Sequence, residues 1–385
     1  MMNALTFPPP PPSPEAEILR AEVRAFLQVE LAGRDPRAKA ESWSGHDDAF
    51  SRKVGARGWI GMTWPKRYGG HERSALERYV VMEEMLAAGA PVSRHWVADR
   101  QSGVQILKVG TEQQKQTILP KIAAGECCFC IGMSEPDSGS DLASTRTKAT
   151  KVQGGWLVNG TKLWTSSAHV ADYMILFCRT GAVDAANRHA GTTQFLVDMK
   201  ATQGIKVRPI HALSGAHHFN EVVFTDAFLP DDAILGGEGD GWKQVTGELA
   251  FERSGPERFL STFGLVVELI RALGPDPSER AAIALGRLSA HFLTLRRMSR
   301  SISGMLQQGL EPANHAAMVK DLGTTLEQEI PEIARMLIAS EPTADTTQDF
   351  LAVLAHGMLH APSFSLRGGT REILRGMIAR GLGLR

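Results

Sequence analysis

Two short stretches carry the residues best suited to chemistry. Met133-Ser134-Glu135-Pro136-Asp137-Ser138-Gly139-Ser140-Asp141 reads as a strand end that breaks at Pro136 into a loop of small residues. Side chains there are short enough for backbone N–H groups to approach an extended anionic ligand. Further on, Lys162-Leu163-Trp164-Thr165-Ser166-Ser167 sets an indole in an alternating strand flanked by hydroxyls. That arrangement suits covering one face of a planar heteroaromatic ring and hydrogen-bonding its edge. Taken singly, the first stretch is a turn and the second a core tryptophan. Their occurrence together points to a ligand.

The pair resembles the acyl-CoA dehydrogenase family of flavoproteins. The resemblance runs over nearly the whole chain: Trp64-Pro65-Lys66-Arg67-Tyr68-Gly69-Gly70, Met82-Glu83-Glu84, Asn220-Glu221-Val222-Val223-Phe224 with Leu229-Pro230, Gly241-Trp242, and Gly368-Gly369-Thr370-Arg371-Glu372-Ile373. It implies that Met133, Ser134, Trp164 and Ser166 line the isoalloxazine ring of FAD, with Gly139 and Thr165 among the cofactor-binding residues. Ser140 matches a position at the cofactor and near the pantetheine or phosphate region of CoA, and Thr370 and Glu372 match positions that touch FAD at the start of the last helix.

The implied reaction takes a proton from the carbon next to a thioester carbonyl while hydride leaves the following carbon, giving a 2,3-enoyl-CoA. Its base is a carboxylate whose pKa is raised by burial in a dry site. In many family members this is a Glu directly before the Gly-Thr of the last motif. Here that position is Gly368, and glycine cannot take a proton. Some relatives carry the base on the first long helix of the C-terminal bundle, at an acid followed by Arg. Phe251-Glu252-Arg253-Ser254-Gly255-Pro256-Glu257-Arg258 supplies that pattern. Glu252 is therefore the expected base and Arg253 the neighbouring orienting charge, on the substrate side. The plain alternative is a surface Glu-Arg helix pair worth a few tenths of a kcal/mol. Glu257 is the rival acid, expected further along the same helix and on another face. Gly368 keeps a catalytic part, because its backbone N–H can donate to the thioester oxygen as enolate charge develops.

Two family segments that grip the FAD pyrophosphate and adenine from a second subunit, Arg-x-x-Phe-Gly and Gln-x-x-Gly-Gly, are not intact in the corresponding regions 279–286 and 351–358. A homologous partner chain would then supply the missing grip in a hetero-oligomer, a heterotetramer, with a homo-oligomer as the alternative assembly, or cofactor binding is weak or lost. Chains of this pattern resemble subunits of heteromeric dehydrogenases acting on bulky CoA thioesters, including steroid side chains. The resemblance further implies an electron-transfer flavoprotein as electron acceptor. Two other functions stay open: a non-catalytic partner subunit, and a flavin oxidase or monooxygenase on the same fold.

The chain has 385 residues, 43% hydrophobic, with 42 Lys and Arg against 42 Asp and Glu. This leaves ample core but no basic footprint for nucleic acid or an anionic membrane. No apolar run approaches the roughly 18 to 20 residues that span a bilayer. No secretion or import signal is evident at the N-terminus. The four cysteines, Cys127, Cys128, Cys130 and Cys178, offer neither a disulfide framework nor a zinc spacing and read as buried reduced thiols, which suits a cytoplasmic setting. No metal site is expected. His217-His218 and the i, i+4 pair His356 and His360 are the nearest groupings, and the latter lacks the Glu of a protease motif.

Residues 1–14 read as a Pro-rich disordered tail. Ser13-Pro14 then starts a helix with Leu19, Val23, Phe26 and Leu27 on one face. Helical period recurs over 46–58, 73–88, 92–108 and 111–124. The expected domains are an N-terminal α-helical domain (15–126), a middle antiparallel β-barrel or sandwich (127–235) and a C-terminal four-helix-type bundle (236–385), an α+β chain. Periodicity sets the helical, β, helical order, and the resemblance implies the same three domains.

Overall fold

The computed structural model describes residues 5–184, 186–252, 255–338 and 348–384, with the side chains of 248–252 outside the description. Helices, then a sheet, then helices follow one another along the chain, as the change of period indicates. Contacts gather the chain into two units, one of Met1–His46, Arg73–Val92 and Ala250–Arg385, the other of Asp47–Glu72 and Ser93–Leu249.

In the first unit the Pro14–Glu30 helix begins where its cap requires, the Ser13 hydroxyl accepting from the Ala16 N–H at 3.3 Å. Leu19, Val23, Phe26 and Leu27 form its buried face. Arg20 on that helix donates to Glu83 at 2.8 Å and to Glu84, Arg24 donates to Glu84 at 2.7 Å, and Arg296 of the Glu279–Gln307 helix donates to Glu83 at 2.7 Å. Buried carboxylates are tolerated only when paired, so Glu83 and Glu84 join three helices rather than serve chemistry. This joint places the Pro14–Glu30 and Ala75–Ala87 helices with the C-terminal bundle, while the other helices before residue 127 lie mostly in the second unit. The bundle itself comprises Phe263–Leu273, Glu279–Gln307, Ala313–Leu337, Asp349–His360 and Arg371–Gly381.

Two expectations are corrected here. The described part of the proline run does not stand off as a tail. Pro10 lies against Gly304, where an added Cβ would sit 3.2 Å away, and Phe7 meets His315 edge-on at 5.0 Å. Glu257 is not on the helix of Glu252. That helix, Gly241–Glu252, has ended, and Pro256–Arg258 forms a separate single turn. Gly255-Pro256 is the break, since proline cannot continue an interior helical turn. Gly323 of the Ala313–Leu337 helix lets this turn pack closely, because a Cβ there would lie 2.1 Å from the Arg258 carbonyl oxygen.

Among the described residues the second unit has eight strands: β1 (Phe129–Gly132), β2 (Lys148–Val152), β3 (Gly155–Lys162), β4 (Tyr173–Arg179), β5 (Thr192–Asp198), β6 (Ile205–His211), β7 (His217–Pro230) and β8 (Ile234–Leu235). They pair in the order β6-β7-β3-β2-β4-β5-β8, with β1 on β4. Pairing is antiparallel except for β1 with β4 and one bridge of β2 with β4. Among the described residues the sheet does not close into a barrel. One face buries Trp156, Val158, Met174, Leu176, Cys178, Phe195, Val197, Val222 and Phe224 together, the period-two pattern of a half-core strand. β4 is buried on both faces.

All four cysteines are free and buried. Desolvation pushes the thiols of Cys127, Cys128 and Cys178 up to about 12 and that of Cys130 well above its usual value. Only the thiolate is nucleophilic. The native chain is expected to show no fast reaction with a thiol reagent at neutral pH and four reactive thiols in denaturant. A fast-reacting thiol in the folded protein would contradict this burial.

Candidate active site

β1 ends at Gly132, and the chain passes into the Met133–Ser140 loop. A two-way bridge closes the loop, Glu135 N–H to Ser138 O at 2.7 Å and Ser138 N–H to Glu135 O at 3.2 Å. Beneath it lies a buried ion pair that sequence reasoning assigned no role. The Lys162 ammonium, fully buried at the end of β3, donates to Glu135 Oε1 at 2.7 Å, to the Met133 carbonyl at 3.0 Å and to Thr145 Oγ1 at 3.2 Å. Glu135 also accepts from Thr145 Oγ1, from Arg146 N–H at 2.7 Å and from Thr147 N–H at 3.0 Å. Burial pushes its pKa up, but the Lys162 charge and these donors outweigh burial and hold it at about 2. Leu163 N–H donates to the Ser134 carbonyl at 2.8 Å. Met133 and Ser134 are thus fixed by β3 from below and are half-buried, while Gly139 and Ser140 are exposed, with open space around Gly139.

The second stretch turns sharply after β3. Trp164 and Ser167 have φ of 57° and 60°, a left-handed conformation that is uncommon for a bulky residue and costs of order 1–3 kcal/mol. The consequence is visible in the indole, which is 58% exposed although tryptophan is normally mostly buried. Phe219 meets it edge-on at 5.9 Å. Ser166 is half-buried beside it. Thr165, expected among the cofactor-binding residues, turns inward between them. Its side chain is fully buried, and its hydroxyl is without a hydrogen-bond partner.

In the first unit, Gly368 and Gly369 form the turn before the Arg371–Gly381 helix, with φ of 67° and 93°. Glycine is the residue that takes such angles without a steric penalty. One buried and one half-buried cation fix this turn. Lys320, fully buried on the Ala313–Leu337 helix, donates to the Gly369 carbonyl at 2.6 Å. Arg367 donates to Ser261 Oγ at 2.6 Å and to Glu327 at 3.0 Å, and stacks on Trp43 and Phe364, each at 4.6 Å. Desolvation lowers the Arg367 pKa to about 10 despite the Glu327 carboxylate. Glu257 is only 2% exposed, beside Arg258, and its carbonyl accepts from Arg367 at 3.4 Å. Thr370 is half-buried and Glu372 exposed, its carboxyl held below the usual value by its own N–H and the Thr370 hydroxyl. The backbone at Glu252 closes the Gly241–Glu252 helix, but its side chain, and Arg253 altogether, lie outside the described residues.

The second unit therefore presents an exposed indole held in a strained turn next to a loop whose outer positions are small and open. These features fit a flat aromatic ring with a phosphorylated tail. Among the described residues no group of three His, Cys, Asp or Glu side chains is placed to hold a metal ion. The His356 and His360 rings lie tilted to one another with centroids 4.2 Å apart, and His356 Nδ1 lies 3.7 Å from Glu41. No helix of the described residues is long and apolar enough to cross a membrane.

Comparison with known proteins gives the frame for these features. Residues 13–126 match the family model of the acyl-CoA dehydrogenase N-terminal domain and residues 130–227 that of the middle domain. Acyl-CoA dehydrogenase FadE29 of Mycobacterium tuberculosis is 32% identical, covering 95% of this chain and 96% of its own. Among solved structures, the "Tcur3481-Tcur3483 steroid ACAD" superposes with a TM-score of 0.84 at 26% identity, covering 97% of this chain and 98% of that one. The ChsE4-ChsE5 complex from Mycobacterium tuberculosis gives 0.82 at 28%, with the same coverage. The chain belongs to the acyl-CoA dehydrogenase family of flavoproteins, oxidoreductases acting on CH–CH bonds.

Proposed function

We propose that this chain is the catalytic subunit of an FAD-dependent acyl-CoA dehydrogenase that converts a bulky acyl-CoA, of the steroid side-chain class, to its 2,3-enoyl-CoA. The observation that carries the reading is Trp164, presented to solvent by a left-handed turn beside the Met133–Ser140 loop. Met133, Ser134, Trp164 and Ser166 would flank the ring, Gly139 and Ser140 its phosphorylated tail, and Thr370 and Glu372 a further edge. A bound flavin would supply the hydride acceptor. Glu252 takes the proton from the carbon next to the carbonyl, Arg253 orients the substrate, and the Gly368 N–H donates to the thioester oxygen as charge builds there. The bulky acyl class is supported by one similar structure, whose name includes the word steroid.

The altered segments at 279–286 and 351–358 favour a homologous partner subunit that completes the dinucleotide grip, and two similar structures are named as two-protein assemblies. An electron-transfer flavoprotein would take the electrons. A cytoplasmic setting fits four unpaired thiols. The test is the flavin spectrum of the chain purified alone and with its homologous partner, followed by acyl-CoA addition without other acceptor. Flavin colour in the mixture that bleaches with acyl-CoA is expected. No colour in either preparation would favour a non-catalytic scaffold, and rapid oxygen consumption without acyl-CoA bleaching would favour oxidase or monooxygenase chemistry.

A further inference from the structure

We infer that Asn220 is a positioning residue for Trp164, a buried amide that locks the 164–167 turn onto β7. The regular β3–β7 ladder stops at Lys162 paired with Val222. Beyond it the turn is pinned by three bonds: Thr165 N–H to the Asn220 carbonyl at 3.0 Å, Asn220 Nδ2 to the Thr165 carbonyl at 3.0 Å, and Ser167 N–H to the His218 carbonyl at 2.8 Å. Two of the three belong to Asn220, which is fully buried. The amide cannot turn over, because its NH2 group must face the Thr165 carbonyl. Its oxygen is then left to accept from His217 Nε2 at 2.8 Å, and its NH2 group also donates to His169 Nδ1 at 3.2 Å. The two imidazoles stack at 4.2 Å and hold the amide from its far side.

Packing alone would not keep the turn in place. The same residues, His169, His217 and Asn220, line a cavity of about 380 Å³ with Ala168, Ala171 and Met199. A strained backbone persists only where its surroundings over-determine it. Next to open space, that determination falls to the hydrogen bonds. Asn220 never needs to touch the ring that Trp164 would cover. It sets where the indole stands.

The link to the cofactor rests on the reading of Trp164 as a flavin wall, so the experiment separates the two. Asn220→Leu keeps the volume and removes every side-chain bond, and Asn220→Asp is the second variant should the first not fold. In the full-length chain, hydrogen exchange of the 163–168 backbone is expected to rise about tenfold or more, while that of β4 stays unchanged. FAD affinity in the flavin-bearing preparation should fall by about the same factor, as it should in Trp164→Ala. Unchanged exchange at 163–168, or a rise spread equally over β4, overturns the positioning role. Faster local exchange with native FAD affinity, while Trp164→Ala loses affinity, overturns the link from Asn220 to the cofactor. Faster local exchange with FAD affinity intact in both variants upholds Asn220 as the lock and rejects the flavin-wall reading instead.

Discussion

In Glu252→Gln, turnover is expected to fall roughly 1,000-fold while flavin and acyl-CoA still bind, because removal of a general base costs about 10² to 10⁴ in rate. Gln keeps the size and a hydrogen-bonding carbonyl but cannot accept the proton. Single-turnover bleaching of the flavin by acyl-CoA measures this directly, and near-native bleaching would remove Glu252 from the role. The rival acid behaves differently. Glu257 is 2% exposed, on its own turn beside Arg258, and that turn packs on Gly323. Loss of its charge would disturb a set that includes the buried Arg258 and the half-buried Arg367, so its replacement should lower stability ahead of any specific loss of rate. Nor is the family's other base position open to refilling at no cost. Gly368 has φ of 67°, and any side chain there would carry a left-handed backbone penalty of about 1–2 kcal/mol.

Local signals were legible wherever one segment decides its own conformation. Ser13-Pro14 caps a helix, and the short β-branched and aromatic runs of β4 and β5 form strands, because these outcomes depend on neighbours a few residues away. Trp164 and the Met133–Ser140 loop stood out by their residue types, yet neither the exposure of the indole nor the inward turn of Thr165 had a local signal. That turn depends on Asn220, more than fifty residues on, whose two bonds to Thr165 exist only once β7 lies beside β3. The end of the Gly241–Glu252 helix was written in Gly255-Pro256, and extending the helix to Glu257 gave the pattern of acids more weight than the break. The docking of Pro10 on Gly304 and Phe7 on His315 could not be read locally, because its partners lie some three hundred residues away.

Lys162→Met should destabilise the second unit by about 3–5 kcal/mol, since it leaves Glu135 as an uncompensated buried charge. The pair is 0% and 5% exposed at the side-chain level, so solvent offers little relief. Removing both charges, as Lys162→Met with Glu135→Gln, should recover part of that loss, because no unpaired buried charge remains and the amide oxygen still accepts from one of the Arg146 and Thr147 N–H groups, while its NH2 faces the other. Urea unfolding measures both, and a double variant no more stable than the single would reject the charge explanation.

The pH dependence gives an independent check with a change of sign. In the native chain Glu135 is held at about 2, below its ordinary 4.5. A depressed carboxyl contributes stability that is present above 4.5 and is lost as pH falls through the folded value. In Lys162→Met the ammonium is gone while burial remains, so the folded pKa of Glu135 should rise above the unfolded one. Stability linked to that group is then greatest at low pH and is lost as pH rises. Acidification from neutrality towards pH 5 should therefore narrow the gap between variant and native chain. A gap that stays constant over this range would mean that Glu135 is not the group left stranded. The same variant loses the 3.0 Å bond from Lys162 to the Met133 carbonyl, so the loop proposed to flank the flavin should loosen and bind FAD more weakly even where the fold survives.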